Sequence, residues 1–183
     1  VDVEKMKPVI AEYLGALPAV NRKETFKDNK IEMRQGIYKN EFTKQQETPK
    51  ASVFAFYNGD CKYDLRNNLL LSMTSQILDL VYTEKVREDE GGTYGVYVGG
   101  TLQKYPKEKA ILQIIFDTAP EKKEKLMKII FGEIDNITKT GPSEANLNKV
   151  KEYMLKKHTE DLKENSYWLG SCLLYTSDAA DDR

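Results

Sequence analysis

Cysteine and histidine are nearly missing from this chain. Its 183 residues include two cysteines, Cys61 and Cys172, and one histidine, His158. Two thiols cannot build the disulfide framework that staples a small core-poor domain. Nor can these three scattered side chains supply the three or four clustered ligands of a familiar zinc site. Neither HxxEH nor HExxH occurs. No apolar run approaches the roughly 20 residues of a membrane span. A basic excess is lacking too: 28 Lys and Arg stand against 29 Asp and Glu, for a net charge of −1. That balance argues against a dedicated nucleic-acid binder. The opening Val1-Asp2-Val3-Glu4-Lys5 has no initiator methionine and no signal-peptide character. It reads as a piece of a longer chain, so its compartment is unknown.

The hydrophobic fraction, 40%, is enough for one domain of ordinary size with flanking pieces. Asp2 is placed to cap a helix over about 3–16, with Met6, Val9, Ile10, Tyr13, Leu14 and Leu17 at helical spacing. Pro8 is tolerable near the first turn, and Leu17-Pro18 ends the helix. Residues 19–35 are polar without period and read as a linker. A modest strand is expected over 36–45, with Ile37, Tyr38 and Phe42, and a stronger one over 50–58. The second carries Val53 and Tyr57 on one face and Phe54 and Phe56 on the other, which suits a central strand.

Asp64 then caps a long helix to about Lys85, with Leu69, Met73, Ile77, Leu80 and Val81 as its buried face. Strands over 93–104 and 109–117 form an antiparallel hairpin around Tyr105-Pro106-Lys107. Thr118 and Glu121 have the spacing of a capping box for a helix ending at Gly141-Pro142. Ser143 caps a last long helix with Leu147, Val150, Met154 and Leu162 facing in. The order predicts an α+β fold: an antiparallel sheet with long helices packed on one face.

Most chemistry-bearing residues have ordinary explanations. His158 lies on the apolar stripe of the last helix and reads as a core or boundary histidine. Cys61 reads as a surface or boundary thiol, and Glu88-Asp89-Glu90 as a solvated helix end. Gly91-Gly92 is not part of a GxGxxG or Walker pattern. More informative is Lys85-Val86-Arg87-Glu88-Asp89-Glu90-Gly91-Gly92-Thr93-Tyr94-Gly95-Val96. An arginine closes a helix, Gly91 and Gly92 form a hinge, and a tyrosine opens a strand. Arg87 and Tyr94 are strong donors that the turn can swing toward one carbonyl oxygen. On spacing alone, the helix dipole explains the arginine and strand packing the tyrosine.

The string Val86-Arg87-Glu88-Asp89-Glu90-Gly91-Gly92-Thr93-Tyr94-Gly95-Val96 resembles the C-terminal, non-zinc-binding repeat of the pitrilysin/insulinase family of zinc metallopeptidases, the inverzincins. The opening Val1-to-Pro18 helix looks like the end of the preceding repeat. Gly141-Pro142-Ser143-Glu144 and Glu164-Asn165-Ser166-Tyr167-Trp168-Leu169 look like the family's late helices. The likeness spans nearly all of residues 1–171. It implies a LuxS-like metallopeptidase repeat, incomplete at both ends. Residues 1–18 would end one repeat, 19–35 would link, and 36–171 would form a truncated substrate-clamp domain. Residues 172–183 resemble a translated transposon adapter and read as a non-native tail.

By this resemblance the full-length protein is a metalloendopeptidase that cleaves peptides in an enclosed chamber. Its zinc is bound outside this fragment, with none in this chain. The partners implied are the zinc-bearing N-terminal half, on the same chain or a partner subunit, and a peptide substrate. Nucleic acid and a membrane span are not implied, and bacterial members are often exported. Tyr94 would stabilise the oxyanion, and Arg87 would hold a substrate carbonyl. The alternative is a noncatalytic scaffold subunit of the same family acting in protein–protein interaction.

Overall fold

Local capping begins three of the helices as the sequence leads one to expect. The Asp2 side chain accepts from the amides of Glu4 and Lys5 to open α1, Val3–Tyr13. Asp64 does the same for α2, Leu65–Glu90, through the amide of Asn67 at 2.8 Å. The computed structural model describes the backbone of residues 2–18, 25, 27–90 and 93–179, and the side chains of these except 87–90, 93, 94 and 173–179. The chain divides into two compact units, Val1–Glu32 and Met33–Arg183. In the first, α1 has no buried residue.

The second unit holds a three-stranded antiparallel sheet in the order β1-β3-β2. The strands are β1, Ala51–Asp60; β2, Thr93–Gln103; and β3, Lys109–Thr118. Ala51 pairs with Thr118 at one end of the β1–β3 ladder and Asp60 with Lys109 at the other. The helices α3, Lys123–Thr140, α4, Glu144–Asp161, and α5, Asn165–Ala179, complete the order. The fold is α+β, as the sequence predicts.

One face of the sheet carries the core. Ile114 and Phe116 of β3 meet Leu78, Tyr82 and Val86 of α2 and Leu126 and Ile130 of α3. Val53, Ala55, Val96 and Val98 pack around them from the flanking strands. Alternation places Phe54, Phe56 and Tyr97 on the opposite face, where all three are half-exposed or more. α2 uses two stripes at the i, i+4 spacing of neighbouring turns. Leu78, Tyr82 and Val86 face the sheet, while Ile77 and Val81 meet Val150 of α4, beside Met73, Leu147 and Met154.

Several expectations need correction. Residues 36–45 form no strand; Ile37 and Phe42 are exposed, and Glu41 pairs with Lys39 and Lys123. The apolar residues there fall on both parities, so no single face forms. β1 is therefore an edge strand, not a central one, and Phe54 and Phe56 lie in the open. Leu69 and Leu80 are exposed. Thr118 caps nothing: it ends β3, and a 3₁₀ turn, Pro120–Lys122, precedes α3 without a side-chain cap. The last long helix is two helices, broken after Asp161. Ser143 does cap α4, accepting from the amide of Asn146 at 3.2 Å.

Candidate substrate-binding site

α2 packs on β2 by a close approach away from their connection. α2 runs along β2, and glycine at position 100 permits it: a Cβ there would lie 2.7 Å from Leu71 Cγ and 2.7 Å from Ser75 Oγ. Toward its end, α2 is fixed by Tyr82. Its ring is buried and its hydroxyl donates to the Ile130 carbonyl oxygen at 3.0 Å. Burial pushes the Tyr82 phenol well above its ordinary pKa, so it remains a neutral donor. One turn on, Val86 is buried against the sheet and Lys85 pairs with Glu133 of α3. The last described turns of α2 are thus held by the sheet and by α3.

Arg87 follows at the last turn of α2, and Tyr94 is the second residue of β2. Their side chains lie outside the described residues, as do those of Glu88, Asp89 and Glu90. The hinge residues Gly91 and Gly92 lie outside them altogether. The backbone just after Tyr94 is informative. Thr93 pairs with Thr118 while Val96 pairs with Phe116, so β2 advances three residues where β3 advances two. That is a one-residue bulge, and Gly95 sits in it at φ +130°, a region that favours glycine. Bulges re-aim side chains and interrupt pairing, and they recur beside active sites. Nothing in the hydrophobic pattern announced this one; the signal available was Gly95 following Tyr94 in a strand.

Thr118, across the ladder from Thr93, is buried, and its hydroxyl oxygen has no hydrogen-bond partner among the described residues. Sequence reasoning missed this polar atom because the capping-box spacing gave Thr118 another role.

His158 is not on the buried stripe. It is exposed, with Nδ1 3.3 Å from the Tyr167 hydroxyl and its ring edge-on to Tyr167 at 5.5 Å. Trp168 Nε1 donates to the Leu162 carbonyl at 2.8 Å, so these aromatics clip the α4–α5 turn. Cys61 is a partly buried free thiol. Among the described residues no group of three or more His, Cys, Asp or Glu side chains is placed to hold a metal ion. The described donor set does not fit a zinc centre. Among the described residues no helix is long and apolar enough to cross a membrane.

The sequence pattern of the family described as the peptidase M16 inactive domain matches residues 1–154. The chain belongs to this family. The match bears out the resemblance to the C-terminal repeat of the pitrilysin/insulinase peptidases. No curated protein matches the chain. Among solved structures, the M16 domain is similar to the periplasmic protease PqqL from Escherichia coli, at 19% identity and a TM-score of 0.62, covering 74% of this chain and 16% of that one. It is similar to the ferredoxin protease FusC, solved in complex with Arabidopsis ferredoxin, at 14% identity and a TM-score of 0.55, covering 64% of this chain and 13% of that one. An M16 inactive domain from Pseudomonas fluorescens shares 25% identity at a TM-score of 0.52, covering 61% of this chain and 27% of that one. The chain thus spans between 13% and 27% of the length of these structures.

Proposed function

We propose that this M16 inactive domain is the substrate-clamping wall of a zinc-dependent endopeptidase acting on peptides in an enclosed chamber. One observation carries the reading. A family match over residues 1–154 coincides with an arginine in the last turn of α2 and a tyrosine at the start of β2, with Gly91-Gly92 between them in the sequence. The guanidinium of Arg87 donates to a carbonyl oxygen of the bound peptide. The phenol of Tyr94 donates to the oxygen that becomes negative as the scissile carbonyl is attacked. A donor aimed at developing charge acts mainly in the transition state, so its loss lowers turnover more than binding. The metal chemistry belongs to a zinc-bearing half outside this chain, on the same polypeptide or a partner subunit. In this division residues 1–18 close the preceding repeat, 19–35 link, 36–171 form the clamp, and 172–183 are a non-native tail.

In the full-length protein, Tyr94→Phe should lower kcat by about 10²–10³-fold, the loss typical of one such donor. Arg87→Ala should lower kcat/KM, with zinc content by elemental analysis unchanged in both. Wild-type kinetics in both variants would remove these roles.

A second reading has one observation in its favour: the matched family is described as inactive. On that reading the parent is a scaffold subunit that binds other proteins. An HxxEH helix encoded upstream, or in a partner gene, decides for the enzyme.

A further inference from the structure

One edge of the sheet carries none of the usual protection. Among the described residues β1 pairs only with β3, along its whole length and without a bulge. No proline interrupts it, and its one glycine, Gly59, is next to its end. The far edge, β2, is broken by the bulge at Gly95 and carries Gly99 and Gly100. Natural sheets blunt their edges with bulges, prolines and charges, because a long regular edge is a template for another strand.

Backbone parity fixes which residues would receive that strand. The Cys61 amide donates to the carbonyl of Glu108, the residue opposite, at 3.4 Å. Hydrogen-bonded pairs alternate along an antiparallel ladder, so the odd residues of β1 bond to β3. The even residues, from Ser52 to Asp60, turn their amides and carbonyls outward. Their side chains share the sheet face away from the core, where Phe54 is 61% and Phe56 50% exposed.

This edge is complementary to itself. Consider β1 laid antiparallel against β1 of a second copy, about a two-fold axis at Ala55. Even residues then meet even ones, as the bonding requires. Phe54 falls opposite Phe56 of the second copy, Ser52 opposite Asn58, and Lys50 opposite Asp60. Lys50 already pairs with Asp117 at 3.0 Å, and Asp60 with Lys109 at 3.3 Å. Each end of the interface thus carries a row of alternating sign: Asp117 and Lys50, then Asp60 and Lys109 of the second copy. A slip of two residues loses the match, setting Lys50 against Lys62 or against Asn58. A slip of one sets outward amides against inward ones.

We propose that two copies of this chain pair edge to edge through β1 in this register, doubling the three-stranded sheet into one continuous sheet. The ladder and the four phenylalanine rings about the axis supply the attraction. The exposed ion pairs add little energy and select the register. β2 is the opposite edge, so the pairing leaves it free. The interface stands whether or not Arg87 and Tyr94 bind substrate.

Sedimentation equilibrium of the chain should show a monomer–dimer equilibrium at or below about 100 μM, as suits a small interface. Opposed residues of a non-hydrogen-bonded pair lie about 4.5 Å apart at Cα, within reach of a disulfide. On a background of Cys61→Ser and Cys172→Ser, Ala55→Cys should therefore give a disulfide-linked dimer with oxidised glutathione. Tyr57→Cys should not, because its counterpart lies opposite Val53, roughly 14 Å along the strand. Phe56→Pro removes one outward amide at an edge where proline is tolerated. It should return the chain to a monomer with its β3 amides still protected. A chain that stays monomeric to about 100 μM overturns the proposal, whatever other strand the edge takes. So does a dimer that survives Phe56→Pro, fails to cross-link through Ala55→Cys, or links as readily through Tyr57→Cys. Should Phe56→Pro unfold, the two cysteine variants decide.

Discussion

At the scale of single residues, the packing of α2 on β2 at Gly100 depends on space more than on bonds. Gly100 lets Leu71 and Ser75 press against β2 at a distance no side chain could share. Gly100→Ala should destabilise the domain by about 1–3 kcal/mol, the usual cost of overpacking a fitted contact. A denaturant midpoint measures it, and a wild-type midpoint would show that α2 is free to step back. Thr118 makes the opposite case. Its buried hydroxyl has no partner among the described residues, and an oxygen buried without a bond carries a desolvation cost. Thr118→Val keeps the shape and removes the polar atom. We expect a midpoint equal to or above that of the wild type. A loss of about 1 kcal/mol or more would mean that the hydroxyl is satisfied by something in solution.

At the scale of elements, the caps and turns were legible and the burial pattern only partly so. Asp2, Asp64 and Ser143 cap because short polar side chains reach the first free amides of a helix, a local effect that sequence carries by itself. The hairpin of β2 and β3 was readable for the same reason. The inward face of α2 was not. One stripe was expected, with Leu69 and Leu80 in it, whereas the helix is held between the sheet and α4 and buries two. A helix clamped from two sides shows no single apolar stripe, so periodicity points between the true faces. The contrast can be measured. Leu78 is 2% exposed and touches the main cluster, whereas Leu69 is 48% exposed. Leu78→Ala should cost about 2–5 kcal/mol. Leu69→Ala should stay within about 0.5 kcal/mol of the wild type. Equal costs would contradict the two-stripe packing.

The candidate site was legible as residue types in order, Arg87, Gly91-Gly92 and Tyr94, but not as a geometry. The bulge at Gly95 depends on how β2 meets β3, and pairing register is a tertiary property that the local string does not encode. The role of His158 was hidden similarly. Its four-residue spacing from Met154 suggested burial, but the chain turns at Leu162–Glu164 and brings Tyr167 onto the ring.

At the scale of the whole molecule, the question is what holds the unit together. Its described core is apolar side chains between one sheet face and two helices, with a second cluster where α2 meets α4. Among the described residues no cluster of ligands is placed around a metal. A domain whose folding free energy came from a structural metal would unfold when the metal is stripped, because binding and folding are then one equilibrium. Here the described core is held by apolar burial, which a chelator does not touch. Dialysis of the chain against excess EDTA should leave its thermal midpoint unchanged within error, and elemental analysis beforehand should find far less than one zinc per chain. If the parent is the zinc enzyme, the same treatment of the full-length protein abolishes peptide cleavage while this domain keeps its protected β3 amides. A midpoint of the isolated chain that falls on chelation would place a metal inside it, and would move the zinc chemistry onto residues that here do not fit it.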